Sequence, residues 1–309
     1  MKTAYMKYIA SLLIFGLNGI VASNISLSSS KIVLLRTTLG AAFLVVLLFA
    51  AKRKLHLAEN KRDVLLVLGS GVCMGISWIL LFEGYKTVGV GIASLLYCCG
   101  PVIVMALSPL LFKERFTAVK LIGFAAVLCG IALINGGAFS EGGNARGVII
   151  SFCSAVMYAA MLILNKKSRS LEGIQKTALQ LCAALTAVAI YVAVSESYSF
   201  PIGGNEWLWV LVLGLVNTGF ACWLYFSSVG DLPIQSVSVC GYIEPLSALL
   251  FSAILLGERM SVAQIFGAAL VIGGALFAEL MGHKALRKEY NACLFHILKH
   301  KGRIQTPSA

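Results

Sequence analysis

Charge is what this sequence has least of. Only 12% of its 309 residues are Asp, Glu, Lys or Arg, against roughly 25% in an ordinary soluble domain. With 59% hydrophobic residues and a mean hydropathy of +0.89, a soluble globule is excluded. There is no Gly-x-x-x-x-Gly-Lys segment to cradle a nucleotide phosphate, which excludes an ATP-driven pump. Nine cysteines are present but no Cys-x-x-Cys; Cys98 and Cys99 are adjacent and the others mostly scattered along apolar segments. Neither a disulfide frame nor a zinc site follows from that spacing. The four histidines, His56, His283, His296 and His300, all fall in connecting segments or the tail. His296 and His300 have helical spacing but lack the Glu and third ligand of a His-Glu-x-x-His site. No catalytic residue, metal or cofactor is therefore expected, and no enzyme.

What is present is a series of membrane-length apolar runs. A hydrocarbon core about 30 Å thick needs around 20 helical residues. Ten segments qualify: 5–24, 32–51, 64–83, 90–112, 117–137, 146–165, 174–194, 207–228, 233–256 and 261–281. The fold class is an all-α membrane protein of ten transmembrane helices, since each amide in lipid must pair within its own segment. The run after Lys2 and Lys7 also has the outline of a signal peptide, with Val21-Ala22-Ser23 as a poor cleavage site. Removing it would leave the first half one helix short of the second.

The net charge of +12 reports orientation rather than a nucleic-acid partner. With the N-terminus inside, 20 of the 25 Lys and Arg fall on the cytoplasmic side. The positive-inside rule then puts both termini in the cytoplasm of a multi-pass protein of the cell (inner) membrane.

Residues 75 to 130 recur without a gap 144 positions later as 219 to 274, with 13 identities in 56 pairs. The matches include Pro101/Pro245, Ser108/Ser252, Glu114/Glu258, Arg115/Arg259, Gly123/Gly267 and Gly130/Gly274. Two five-helix repeats result, 1–137 and 146–281, joined by a Gly-rich linker, 138–145, and followed by a basic cytoplasmic tail, 282–309. Five spans is an odd number, so the repeats are inverted relative to each other. Such a pair has two nearly equivalent packings, one open to each side.

The turn Lys113-Glu114-Arg115-Phe116-Thr117 returns as Gly257-Glu258-Arg259-Met260-Ser261. Thr117 and Ser261 are expected N-caps, and Ser261 with Gln264 has capping-box spacing. Glu114 and Glu258 precede helix starts whose positive dipole ends favour a carboxylate. Gly123 with Gly130, and Gly267 with Gly274, each share a helix face and permit close packing.

On these residues the chain resembles the drug/metabolite transporter superfamily, EamA type, over about 5–281. Tyr242-Ile243-Glu244-Pro245-Leu246 and Leu256-Gly257-Glu258-Arg259-Met260 are similar to what such proteins carry in and after the ninth span. Arg36, with Gln180 at the matching position of the second repeat, also fits. Phe15-Gly16-Leu17-Asn18 departs from the pattern, standing where a Trp often precedes the small residue. The resemblance implies a secondary transporter exporting a small metabolite, such as an amino acid or related compound, or a drug. An intramembrane enzyme and a receptor or pore are the alternatives.

Pro101 and Pro245 lie near the middles of the fourth and ninth segments. Each removes one helical hydrogen bond and displaces the carbonyl four residues back, on Tyr97 and Gly241. Paired breaks in the two halves point to a binding site. Beside the second break is Glu244, the one carboxylate near a segment centre. A charge there costs about 2.5–3.5 kcal/mol on insertion scales. Glu244 is expected to face the bundle interior and to carry a proton or bind a substrate ammonium. Asn217, Trp78, Tyr97, Tyr158, Trp223 and Tyr242 are the other candidates for the substrate cavity. Arg36, about 6 Å inside the outer boundary, is a candidate outer gate that could extend its head outward. The expected partners are a small-molecule substrate, possibly coupled to a proton, and the lipid bilayer; a monomer is expected.

Overall fold

An apolar run of about 20 residues in lipid can satisfy its amides only along its own axis. A computed structural model follows that rule. It describes residues 2–50, 61–112, 118–135, 145–168, 171, 173–196, 199–229, 232, 240–274, 276–277 and 281, with no strand among them. Among the described residues, six helical stretches are long and apolar enough to cross a membrane: Lys2–Ser23, Ser29–Ala50, Lys61–Val88, Ala145–Lys167, Gly173–Ser195 and Glu206–Tyr225. Four shorter apolar stretches are Val90–Val104, Leu121–Gly130, Ile243–Leu255 and Val262–Gly274. The Lys113–Thr117 turn, most of the inter-repeat linker and the basic tail lie outside the described residues.

The first half holds α1 (Lys2–Gly16), α2 (Asn18–Ser23), α3 (Ser29–Ala50), α4 (Lys61–Val88), α5 (Val90–Tyr97), α6 (Cys99–Phe112) and α7 (Ala118–Asn135). The second holds α8 (Ala145–Lys167), α9 (Gly173–Ser195), α10 (Glu206–Leu211), a π-helical stretch (Val212–Phe220), α11 (Ala221–Val229), α12 (Ile243–Leu255) and α13 (Val262–Gly274). Large apolar side chains cover the outside, with Val194 82% and Ile254 74% exposed. A surface so apolar is stable against lipid and not against water.

Inside, the helices approach through small and hydroxyl-bearing residues, as bundles in membranes do. Between α4 and α8, Ser77 Oγ donates to Ser154 O and Ser154 Oγ to Ser77 O, both at 2.8 Å. Ser70 Oγ donates to Met161 O at 3.0 Å on the same interface. The glycine pairs singled out in the sequence meet across the two repeats. A Cβ on Gly130 would stand 2.6 Å from Gly267 O, and one on Gly274 would stand 2.9 Å from Gly123 O. The contacts are reciprocal at a spacing of 144, as a two-fold between α7 and α13 requires.

Among the described residues, four helix interruptions shape the interior. The first segment turns at Leu17, the fourth at Cys98 and the ninth at Tyr242, while the eighth widens into the π-helical stretch. Cys98 and Tyr242 are register mates, each three residues before its proline. The third segment, expected over 64–83, continues to Val88 and ends where Gly89 takes φ +85°, a left-handed conformation open to glycine. α12 ends similarly at Gly257, φ +66°, and the Glu258 N–H returns to Ser252 O at 3.3 Å. Ser261 and Gln264 complete the expected capping box: Ser261 N–H donates to Gln264 Oε1 at 2.8 Å, and Gln264 N–H to Ser261 Oγ at 3.2 Å.

Candidate functional site

The interrupted helices leave space between them. A cavity of about 230 Å³ is lined by Tyr8, Tyr85, Tyr97, Tyr158, Tyr225 and Tyr242, with Ser94, Cys98, Glu244 and Pro245 among the remaining wall residues. It lies against both the Cys98 and the Tyr242 breaks. Tyr97 and Tyr158 stack with ring centroids 4.5 Å apart and planes inclined at 17°. Tyr8 and Tyr225 meet at 5.2 Å and share a side-chain hydrogen bond. Gly100 makes the first stack possible, because a Cβ there would run into the Tyr158 ring. The wall is thus apolar in its faces and hydroxylated at its edges, a surface for an amphipathic molecule.

Of the residues expected in the cavity, Glu244, Tyr97, Tyr158 and Tyr242 line it, as does Pro245. Glu244 is partly exposed there, and among the described residues no group donates a hydrogen bond to its carboxylate. Pro101 lies in the first turn of α6, and its side chain is outside the described ones. Asn217, Trp78 and Trp223 are not wall residues. Asn217 is 2% exposed, and its Nδ2 donates to Ile14 O at 2.9 Å. It secures a carbonyl next to the Leu17 interruption. Trp223 packs with Phe220 at 5.6 Å and lies under Lys7 Nζ at 5.6 Å.

Trp78 instead holds Arg36. The guanidinium carbon is 4.4 Å from the Trp78 ring centre and 5.0 Å from that of Phe82. Arg36 Nε donates to Thr218 Oγ1 at 3.1 Å, from a side chain 2% exposed. The head does not extend outward, because two aromatic faces and a hydroxyl on the π-helical stretch hold it inside the bundle. Cation–π contact in a desolvated setting is worth about 2 kcal/mol.

Sequence reading did not single out Tyr8, Tyr85 or Tyr225. Each sits toward a segment end, where a tyrosine reads as an interfacial anchor. The sequence carries no signal that separates these three from the other tyrosines near segment ends, such as Tyr5 and Tyr191.

One end of the bundle is tied by polar contacts that cross the repeats. Glu258 accepts the Val90 N–H at 2.7 Å and the Gly91 N–H at 2.9 Å. The carboxylate expected to serve its own following helix caps α5 of the other repeat instead, because Gly257 turns the chain toward it. Glu196 accepts Ser28 Oγ at 2.6 Å and also Ser30 Oγ, and pairs with Lys31 at 3.7 Å. Lys31 Nζ donates to Ser199 O at 2.8 Å, and the Ser26 N–H to Glu206 Oε2 at 3.1 Å. Glu83 and Lys86 hold the same loop separately, Glu83 through Ser29 Oγ and Lys86 through Leu27 O. Partial burial works to raise the Glu196 pKa, but the two hydroxyls and Lys31 outweigh it and hold the carboxyl below its usual range.

Comparison with known proteins agrees with this architecture. The chain is 25% identical over 276 residues to the uncharacterized transporter YxxF of Bacillus subtilis, covering 88% of each. It is 26% identical to an uncharacterized transporter of Archaeoglobus fulgidus, over 90% of this chain and 97% of that one. A crystal structure shares the fold with a TM-score of 0.66 at 21% identity, covering 90% of this chain and 98% of its own. The EamA-like transporter family matches residues 2–136 and again 145–280. Two family-length matches on one bundle with reciprocal glycine contacts settle the assignment: the chain belongs to the EamA-like transporter family.

Proposed function

We propose that the protein is a secondary active or facilitative transporter that exports a small metabolite or drug across the cell membrane by alternating access. Ten spans in two inverted repeats carry it, and the tyrosine-lined cavity is the transport site. One observation supports this above the others. The two repeats interrupt their helices at matching positions, Cys98 and Tyr242, each three residues before a proline, and the cavity lies against both. Discontinuous helices at a repeat interface are how transporters present backbone and side chains to a ligand at mid-membrane.

The positive-inside count puts the clasped end outside, where Glu83, Glu196, Glu206 and Glu258 tie the loops together. Closing there and opening at the opposite face is one of the two packings an inverted repeat supports. Both termini are then cytoplasmic. Glu244 serves the substrate, or a coupled proton, at the centre.

Thiol labelling tests the reading without a known substrate. Cys98 lines the cavity, so with the other cysteines replaced it should react with an impermeant maleimide from either face. Joining Ser30→Cys to Glu196→Cys by oxidation should confine labelling to the inner face, and reduction should restore it. Outer labelling that persists with the disulfide formed would overturn alternating access and point to a pore.

A further inference from the structure

A second hollow shares no wall residue with the tyrosine cavity. It is a groove of about 650 Å³ between α4 of the first repeat and α9 of the second. Leu68, Val72 and Ile76 form one wall, and Ala183, Ala187 and Ile190 stand on the other. Its rim is open to the outside of the bundle, where Val72, Ile190 and Val194 are exposed. Thr186 also lines it, but its hydroxyl donates back to Cys182 O at 2.9 Å, so that proton is spent within α9.

The repeat shows why the groove is there. Its two walls, 68–76 and α9, have as register mates the π-helical stretch Val212–Phe220 and α3. That equivalent seam is filled. A Cβ on Gly214 would stand 2.5 Å from Leu39, and one on Gly219 would stand 2.8 Å from Phe43. The mates of Leu39 and Phe43 are Ala183 and Ala187. Two large apolar side chains of one half are thus two methyl groups in the other, and the α4–α9 seam lacks their volume. A gap between packed apolar walls forfeits dispersion contacts, which hydrocarbon restores.

We propose that this groove holds one acyl chain of a phospholipid from the leaflet on the clasped side. Length supports the assignment. From Ser195, where α9 ends, to Ala183 is 12 residues, about 18 Å of helix. One leaflet of a hydrocarbon core about 30 Å thick is about 15 Å deep. Polarity changes along the same axis. The deep part is walled by Leu, Val, Ile and Ala, whereas the mouth carries Tyr191 and Ser195, and the pair of Glu196 with Lys31 stands one residue beyond. A lipid has the same order, hydrocarbon below and ester and phosphate above. A second copy of the chain does not fit the size: ten residues line the groove, where a stable protein interface takes roughly 20–30 on each side. Because α4 and α9 belong to different repeats, the acyl chain serves as packing between the two halves. The proposal requires a bilayer around the bundle and is independent of what the tyrosine cavity carries.

Photolabelling of the purified full chain, in micelles containing a phosphatidylcholine with a diazirine on its acyl chain, is the test. Adducts on 68–76 and 183–195 should exceed by about tenfold those at Ile254, an exposed side chain of α12 outside the groove. Ala183→Leu combined with Ala187→Phe gives α9 the side chains that α3 carries. It should bring the groove yield down to that of Ile254 and leave the Ile254 yield unchanged. If the double variant does not fold, the wild-type ratio decides alone. Equal yields at the groove and at Ile254, or a groove yield that filling does not lower, overturn the proposal and leave only general solvation by lipid. Disulfide dimers of Val194→Cys, formed in vesicles with the other cysteines replaced, would put a second copy on this face and overturn it as well.

Discussion

Replacing Glu258 tests how the two repeats are held at the clasped end. Its carboxylate takes two backbone N–H groups at 2.7 and 2.9 Å, from Val90 and Gly91 at the start of α5. Both donors are buried, so water does not readily replace the lost acceptor. A hydrogen bond to a charged group contributes about 1.5–3 kcal/mol, and a carboxylate at a helix N-terminus about 0.3–1 kcal/mol more. Glu258 is itself half-buried, so solvent screening reduces both figures. A net cost of about 2 kcal/mol for Glu258→Ala is a fair working value.

Under the proposed alternating access, that free energy acts on the closed clasp. If opening at this end separates α5 from the 256–261 turn, then about 2 kcal/mol corresponds to roughly a 30-fold change in the open fraction. The labelling rate of Cys98 from the outer face should rise by about that factor in Glu258→Ala. Glu258→Gln should fall between, since its one carbonyl oxygen cannot serve both N–H groups as a carboxylate does. Outer labelling rates equal in wild type and Glu258→Ala would refute the claim that this cap holds the end closed.

Lowering pH should loosen the second tie. Glu196 titrates below its usual range in the folded protein, so its contribution is present above about pH 4 and is lost as pH falls through the depressed value; outer labelling of Cys98 should step up there, and Glu196→Gln should remove the step. Gly274→Val puts a branched side chain where a Cβ alone would already stand 2.9 Å from Gly123 O; overpacking of this kind costs about 1–3 kcal/mol, visible as a lower unfolding temperature in detergent. A reporter after Gly142 should be extracellular and reporters after Lys54 and at Ala309 cytoplasmic; a cytoplasmic signal at Gly142 would remove the odd span count and the inversion with it.

The parts of this structure that the sequence showed are those governed by local chemistry or by the repeat. Apolar length marked six membrane-length helices among the described residues, and four shorter apolar helices fall within the remaining runs. Proline marked the breaks at Cys98 and Tyr242, and matched glycines marked the α7–α13 contact. What stayed hidden depends on partners far along the chain. Glu258 caps a helix 167 residues earlier, and nothing in its own turn says so. Asn217 reads as a central polar residue facing a cavity, yet it bonds Ile14 O, 203 residues away, beside an interruption at Leu17 that no proline announces. Tyr8, Tyr85 and Tyr225 look like interfacial anchors until the breaks draw their segments together.

Where the repeats agree and where they differ divides the residues by task. Gly123 with Gly267, Gly130 with Gly274 and Pro101 with Pro245 agree, and they set helix approach and helix break. Those features must match if two packings of the bundle are to lie within a few kcal/mol of each other, the condition for both to be populated. Arg36 with Gln180, Glu244 with Gly100 and Tyr97 with Gly241 differ. Glu244 and Tyr97, both on the cavity wall, thus have no like partner in the other half, while the scaffold around them keeps the repeat. Converting Gly100 to a carboxylate would restore chemical symmetry, but a Cβ there already collides with the Tyr158 ring. The stack of Tyr97 on Tyr158 and the single carboxylate at Glu244 are therefore linked: the aromatic wall occupies the place where the second charge would stand.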